Sequence, residues 1–139
     1  MDITTTATKF VEYYYKVLDS ENREALKSFY SSLQKPQEQK ISFQLTPAVQ
    51  IVSHMTFEGE NVDGEDIFKM LNQLPKVQHT YEHLDVQSGL NNSILLNVMG
   101  EIKIEDQPVS VLFTETFFIM QKDNSWIITN QIFRFANAH

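Results

Sequence analysis

The last third of the chain holds three strand-like runs that are apolar on both faces. In Ser93–Ile104, Ile94, Leu96, Val98 and Ile102 alternate to one side, while Leu95 and Met99 point to the other. In Val109–Lys122 the two sides are Val109, Val111, Phe113, Phe117, Ile119 and Leu112, Phe118, Met120. Strict alternation in Trp126–Phe135 puts Trp126, Ile128, Asn130, Ile132 and Arg134 on one side and Ile127, Phe133 and Phe135 on the other. Short connections make these strands antiparallel neighbours. A small antiparallel sheet ordinarily keeps one face on the core and gives the other to water. Two apolar faces need two coverings. Helices of the same chain supply one, and the expectation is that a partner protein supplies the other.

The rest of the chain provides those helices. Ile3–Leu18 carries Ala7, Phe10, Val11, Tyr14, Val17 and Leu18 at helical spacing, with Thr4, Thr5 or Thr6 as its cap. Glu21–Ser31 reads as a second, short helix with Ala25, Leu26, Phe29 and Tyr30 inward. A polar loop with Pro36 leads to strands at Ile41–Leu45 and Val49–Phe57, then to a turn at Glu58–Asn61. Asp63 and Gly64 open a third helix that Pro75 closes, with Ile67, Phe68, Leu71 and Leu74 inward. Val77–Ser88 is a long strand, and Gly89–Asn92 turns it into the three strands above. Helices followed by a run of strands give an α+β fold with the helices on one sheet face. Residues 1–139 read as a single domain with a core of its own.

Composition narrows the function. Hydrophobic residues make up 42% and charged residues 21%, which suits a globular chain. There is no cysteine, hence no disulfide, thiolate metal site or Cys nucleophile. No apolar run approaches the roughly 20 residues of a membrane helix. Met1–Thr6 has no basic start or hydrophobic stretch, so no signal peptide and an intracellular protein are expected. A net charge of −7, with eleven thinly spread basic residues, argues against direct contact with nucleic acid.

Several stretches together resemble the nuclear transport factor 2-like family: Phe10-Val11-Glu12-Tyr13-Tyr14-Tyr15, Thr56-Phe57-Glu58-Gly59 with Gly64 beyond, Leu74-Pro75 before Val77-Gln78-His79, Gly100 within its strand, and Ile132-Phe133-Arg134-Phe135. The resemblance implies an NTF2-like cone, a bent antiparallel sheet wrapped around three helices, often dimeric through its open sheet face. Its branches imply three functions: a homodimeric carrier importing Ran-GDP, an Nxt-type subunit paired with the NTF2-like domain of an NXF-type mRNA export receptor, and cavity enzymes such as isomerases and dehydratases. The carrier's Asp-x-Asp before a proline is here Glu105-Asp106-Gln107-Pro108, so one carboxylate is an amide. An extra segment spans about Lys35 to Val49. Both departures favour the export subunit, and the Phe57-Glu58-Gly59 match favours the carrier. The leading expectation is a non-enzymatic heterodimer subunit for mRNA export, without cofactor, that helps form a surface for nucleoporin FG repeats and moves between nucleus and cytoplasm through the pore.

The expected partner interface is Ile128, Asn130, Ile132 and Arg134, with Glu115 answering from the neighbouring strand. Arginine, always charged, suits an interface ion pair. In the carrier alternative, Phe57, Glu58, Glu105 and Asp106 would contact Ran; otherwise Phe57 is core and Glu58 opens a turn. In the enzyme alternative, Glu115 is a mid-sheet general base with a raised pKa. His79, His83 and Asp85 share one strand face by alternation, but one strand does not supply the converging ligands a metal requires. A His–Asp pair without a nucleophile is too little for acyl transfer.

Overall fold

The computed structural model describes residues 2–31 and 52–136. The expected strand at Ile41–Leu45, the start of the Val49–Phe57 run and the Lys35–Val49 insertion lie outside the described residues. Helix α1 is Ile3–Leu18. A 3₁₀ helix, Glu24–Phe29, stands where a short α-helix was expected. Strands β1 (His54–Phe57) and β2 (Glu60–Asp63) precede helix α2 (Glu65–Asn72). Four long strands follow: β3 (Val77–Ser88), β4 (Ser93–Ile104), β5 (Val111–Lys122) and β6 (Ser125–Phe135). They form one sheet in the order β2-β1-β6-β5-β4-β3, antiparallel except where β1 runs parallel to β6.

Local chemistry explains the elements. Asp2 rather than a threonine caps α1, its Oδ1 accepting the Thr4 N–H at 3.1 Å. The expected four-residue turn at Glu58–Asn61 is tighter. Glu58 and Gly59 take φ of 50° and 87°, the positive values of a two-residue hairpin, so Glu60 and Asn61 are already strand. Asp123 and Asn124 do the same between β5 and β6, with φ of 49° and 66°.

One sheet face is closed by α1, the 3₁₀ helix and α2. Tyr14 and Phe10 meet Phe117 at ring separations of 5.1 and 5.7 Å, and Tyr15 meets Phe113 at 5.9 Å. Beneath them lie Ile94, Leu96, Val98, Phe113, Phe117, Ile119, Ile128 and Phe133, all buried. Arg23, also buried, ties the helices together. Its guanidinium donates to the carbonyls of Leu18 (2.7 Å), Leu71 (2.8 Å), Leu74 (2.8 Å) and Pro75 (2.8 Å), the C-terminal ends of α1 and α2.

Two bulges break the alternation that the sequence suggests. In β6, Ile119 pairs with Ile128 but Phe118 pairs with Asn130, so Thr129 is extra. In β3, Tyr81 pairs with Gly100 and His83 with Met99, so Glu82 is extra. Each bulge swaps the faces of the residues beyond it. Gly100 sits beside the second, where a Cβ would stand 2.2 Å from Thr80 O and 2.5 Å from Tyr81 Cα.

Candidate functional site

The sheet face turned away from the helices is the candidate partner surface. Alternation places Leu95 and Met99 of β4, Leu112, Thr114, Thr116 and Phe118 of β5, and Asn130, Ile132 and Arg134 of β6 on that side. Met99 is 44% exposed, Leu112 47% and Ile132 51%. Arg134 is exposed and lies over Gly59 in the β1–β2 turn, with Nη2 3.4 Å from the point where a Cβ would stand. Among the described residues it forms no salt bridge.

Two of the five expected interface residues are placed elsewhere. The Thr129 bulge turns Ile128 inward, where it is fully buried in the core. Glu115 also faces the helices, is 2% exposed, and meets neither Asn130 nor Arg134. Asn130, Ile132 and Arg134 remain together on the outer side.

Glu115 instead anchors a polar network inside the core. Tyr15 Oη donates to its Oε1 at 2.8 Å, and Gln131 Nε2 donates to its Oε2 at 2.6 Å. Tyr30 Oη donates to Gln131 Oε1 at 2.6 Å, so its oxygen accepts from Tyr14 Oη at 2.7 Å. Gln131 Nε2 returns to Tyr14 Oη at 3.0 Å, which closes a ring of mutually polarising bonds. Burial pushes the Glu115 carboxyl above its ordinary range, while nearby His79 and the bonds from Gln131 and Tyr15 pull it down. Burial likewise raises the Tyr14, Tyr15 and Tyr30 phenols. No buried side-chain polar atom among the described residues lacks a partner.

His79, His83 and Asp85 do not share a face. The Glu82 bulge leaves His79 inward, stacked on Tyr15 at 4.3 Å with Nδ1 donating to Asp19 Oδ1 at 2.6 Å, while His83 and Asp85 are exposed outside. Among the described residues no group of three or more His, Asp or Glu is arranged to hold a metal.

The residues of the carrier alternative fall at two places. Phe57 is half-buried and stacks on Phe133 at 4.8 Å. Glu58 sits in the β1–β2 turn with its carboxylate on the Phe135 N–H at 2.5 Å. Glu105 and Asp106 are exposed in the β4–β5 hairpin and border an open groove of about 820 Å³ that Lys16, Lys76, Lys103, Asp19 and His79 also line. Sequence reading missed Arg23 and Gln131. An arginine near the start of a short expected helix carries no spacing signal, and Gln131 faces inward only because of a bulge that no Gly or Pro announces.

The nuclear transport factor 2 domain profile matches residues 6–135, and the chain belongs to that family. Among similar relatives are proteins named nuclear transport factor 2 from Debaryomyces hansenii, 33% identical over 96% of this chain and 95% of that protein, and from Eremothecium gossypii, 30% identical over 96% and 94%. The nuclear transport factor 2 structure from Cryptosporidium parvum superposes with a TM-score of 0.72 at 26% identity, covering 93% of this chain and 90% of that one. The yeast complex of the deubiquitinase Ubp3 with its cofactor Bre5 contains a chain with a TM-score of 0.70 at 20% identity, covering 99% and 98%, which shows the fold alone. These relatives support an NTF2-like nuclear transport role.

Proposed function

We propose that this chain is a non-enzymatic transport factor that works as a dimer sealed across the outer face of β4, β5 and β6, carries Ran-GDP, and shuttles through the nuclear pore between nucleus and cytoplasm. The observation that carries the reading is the exposed apolar surface at Met99, Leu112 and Ile132, backed by a sheet whose other face is already full. About 800 Å² per partner is a standard stable interface, and the outer face of three 11- to 12-residue strands is of that order. The relatives that cover nearly the whole chain are named nuclear transport factor 2, the branch whose resemblance implies a homodimeric carrier, and this favours a second copy as the partner. Glu105 and Asp106 have no salt bridge among the described residues and offer carboxylates to a basic cargo surface. A groove of about 540 Å³, lined by Phe10, Tyr13, Phe29 and Trp126 among others, suits a single phenylalanine of a nucleoporin repeat, weak alone and strengthened by repetition. Catalysis is disfavoured because both Glu115 oxygens are engaged by protein donors and Glu115 lines none of the clefts described.

Gln107 supports a second reading, the export subunit. The β4–β5 hairpin presents two carboxylates followed by an amide, which weakens its claim on a basic cargo. Purified chain mixed with Ran-GDP, and separately with the NTF2-like domain of an mRNA export receptor, separates the two by size-exclusion light scattering. A dimer that retains Ran-GDP fits the carrier. A one-to-one complex with the receptor domain and no Ran binding overturns it.

A further inference from the structure

We propose that a notch beside Ile132, formed by His54, Asp63 and Asn130, receives Arg134 of a second copy of this chain, and that the contact occurs twice across a two-fold axis through Ile132. The inference rests on the dimer reading above and names the groups that fix its register. Asn130 and Arg134 stand two residues either side of Ile132 on β6, all three outward, each about 7 Å from it at ~3.4 Å per residue. An interface between identical copies is self-complementary about a two-fold axis. An axis lying across the strands at Ile132 exchanges the two ends of β6, so Arg134 of one copy faces the row that contains Asn130 in the other.

Strand pairing defines that row completely: Gln87, Leu95, Phe118, Asn130, His54 and Asp63. Asp63 is its only carboxylate. It lies in an open notch of about 460 Å³ that Asn130 and Ile132 also border, with Oδ1 2.8 Å from His54 Nδ1 and its side chain 58% exposed. Arg134 forms no salt bridge among the described residues, in a chain of net charge −7. A cation at one end and a carboxylate at the other make the face charge-complementary to itself, which sets orientation as much as affinity. Facing sheets lie about 10 Å apart, a gap that an arginine and an aspartate fill together.

Sedimentation equilibrium on the full chain tests this with Arg134→Glu, Asp63→Lys, the double variant, and Leu112→Glu as a probe of the face itself. All three sites are exposed, and circular dichroism checks that each variant is folded. Each single charge reversal is expected to weaken self-association about tenfold or more, and the double variant to recover most of it. A dimer that Leu112→Glu breaks but Asp63→Lys leaves intact, or a double variant no better than the singles, overturns the notch and leaves the dimer standing. A wild-type chain that stays monomeric at tens of micromolar overturns both.

Discussion

Glu115 is the residue whose chemistry departs furthest from its sequence context. A carboxylate in the middle of β5, among Phe113, Phe117 and Ile119, is costly to bury, and it is tolerated because Tyr15 and Gln131 each donate to one of its oxygens. The folded carboxyl nevertheless titrates above its unfolded value of about 4.3, burial being the main cause. Its contribution to stability is therefore fully present below the unfolded value and is lost as pH rises through the raised folded one. Glu115→Gln removes that dependence. Its amide oxygen accepts from Gln131, and its NH₂ donates to Tyr15 once that hydroxyl turns. Urea midpoints measured from pH 4 to pH 8 are expected to shift in favour of the variant as pH rises. Parallel profiles for the two proteins would mean that Glu115 keeps an ordinary pKa.

At the scale of elements, the bulges decide what the sheet presents. With Thr129 paired as an ordinary strand residue instead of bulged, alternation from the buried Ile128 would turn Asn130, Ile132 and Arg134 toward the helices and Gln131 and Phe133 toward solvent. Gly100 marks how tightly β4 crosses β3 at the other bulge. A methyl there meets the backbone of Thr80 and Tyr81, which cannot rotate away as a side chain could. Gly100→Ala is expected to destabilise the fold by about 2–3 kcal/mol, read as a lower urea midpoint with an unchanged slope; a loss below about 0.5 kcal/mol would mean that β3 shifts freely. The helical stripe of α1, the α2 stripe before Pro75 and the four long strands are all legible, because each keeps a period of 3.6 or 2 over several residues, on either side of the bulge in β3 and β6. Periodicity cannot show where a period is interrupted. Neither Thr129 nor Glu82 differs in type from an ordinary strand residue, so strict alternation puts Ile128 outward and groups His79 with His83 and Asp85, and the bulges reverse both. Arg134, Ile132 and Asn130 kept the right company because all three lie beyond the same bulge.

For the whole molecule, two apolar sheet surfaces served by one set of helices leave a deficit that the proposed dimer removes. Burying the outer face links folding to pairing, since the dimer binds its own native state and not the unfolded chain. Thermal stability should therefore rise with protein concentration. Each tenfold increase is worth about 1.4 kcal/mol per dimer, roughly 2 °C when two domains of this size unfold together. Ile132→Glu places a charge at the centre of that surface while touching none of the core, since Ile132 is half exposed and points away from the helices. The variant is expected to fold with a melting temperature that no longer depends on concentration, by calorimetry across a hundredfold range. A concentration-dependent Ile132→Glu chain would move the seam away from β6, and a wild-type melting temperature that ignores concentration would leave the outer face of the sheet without a second copy to cover it.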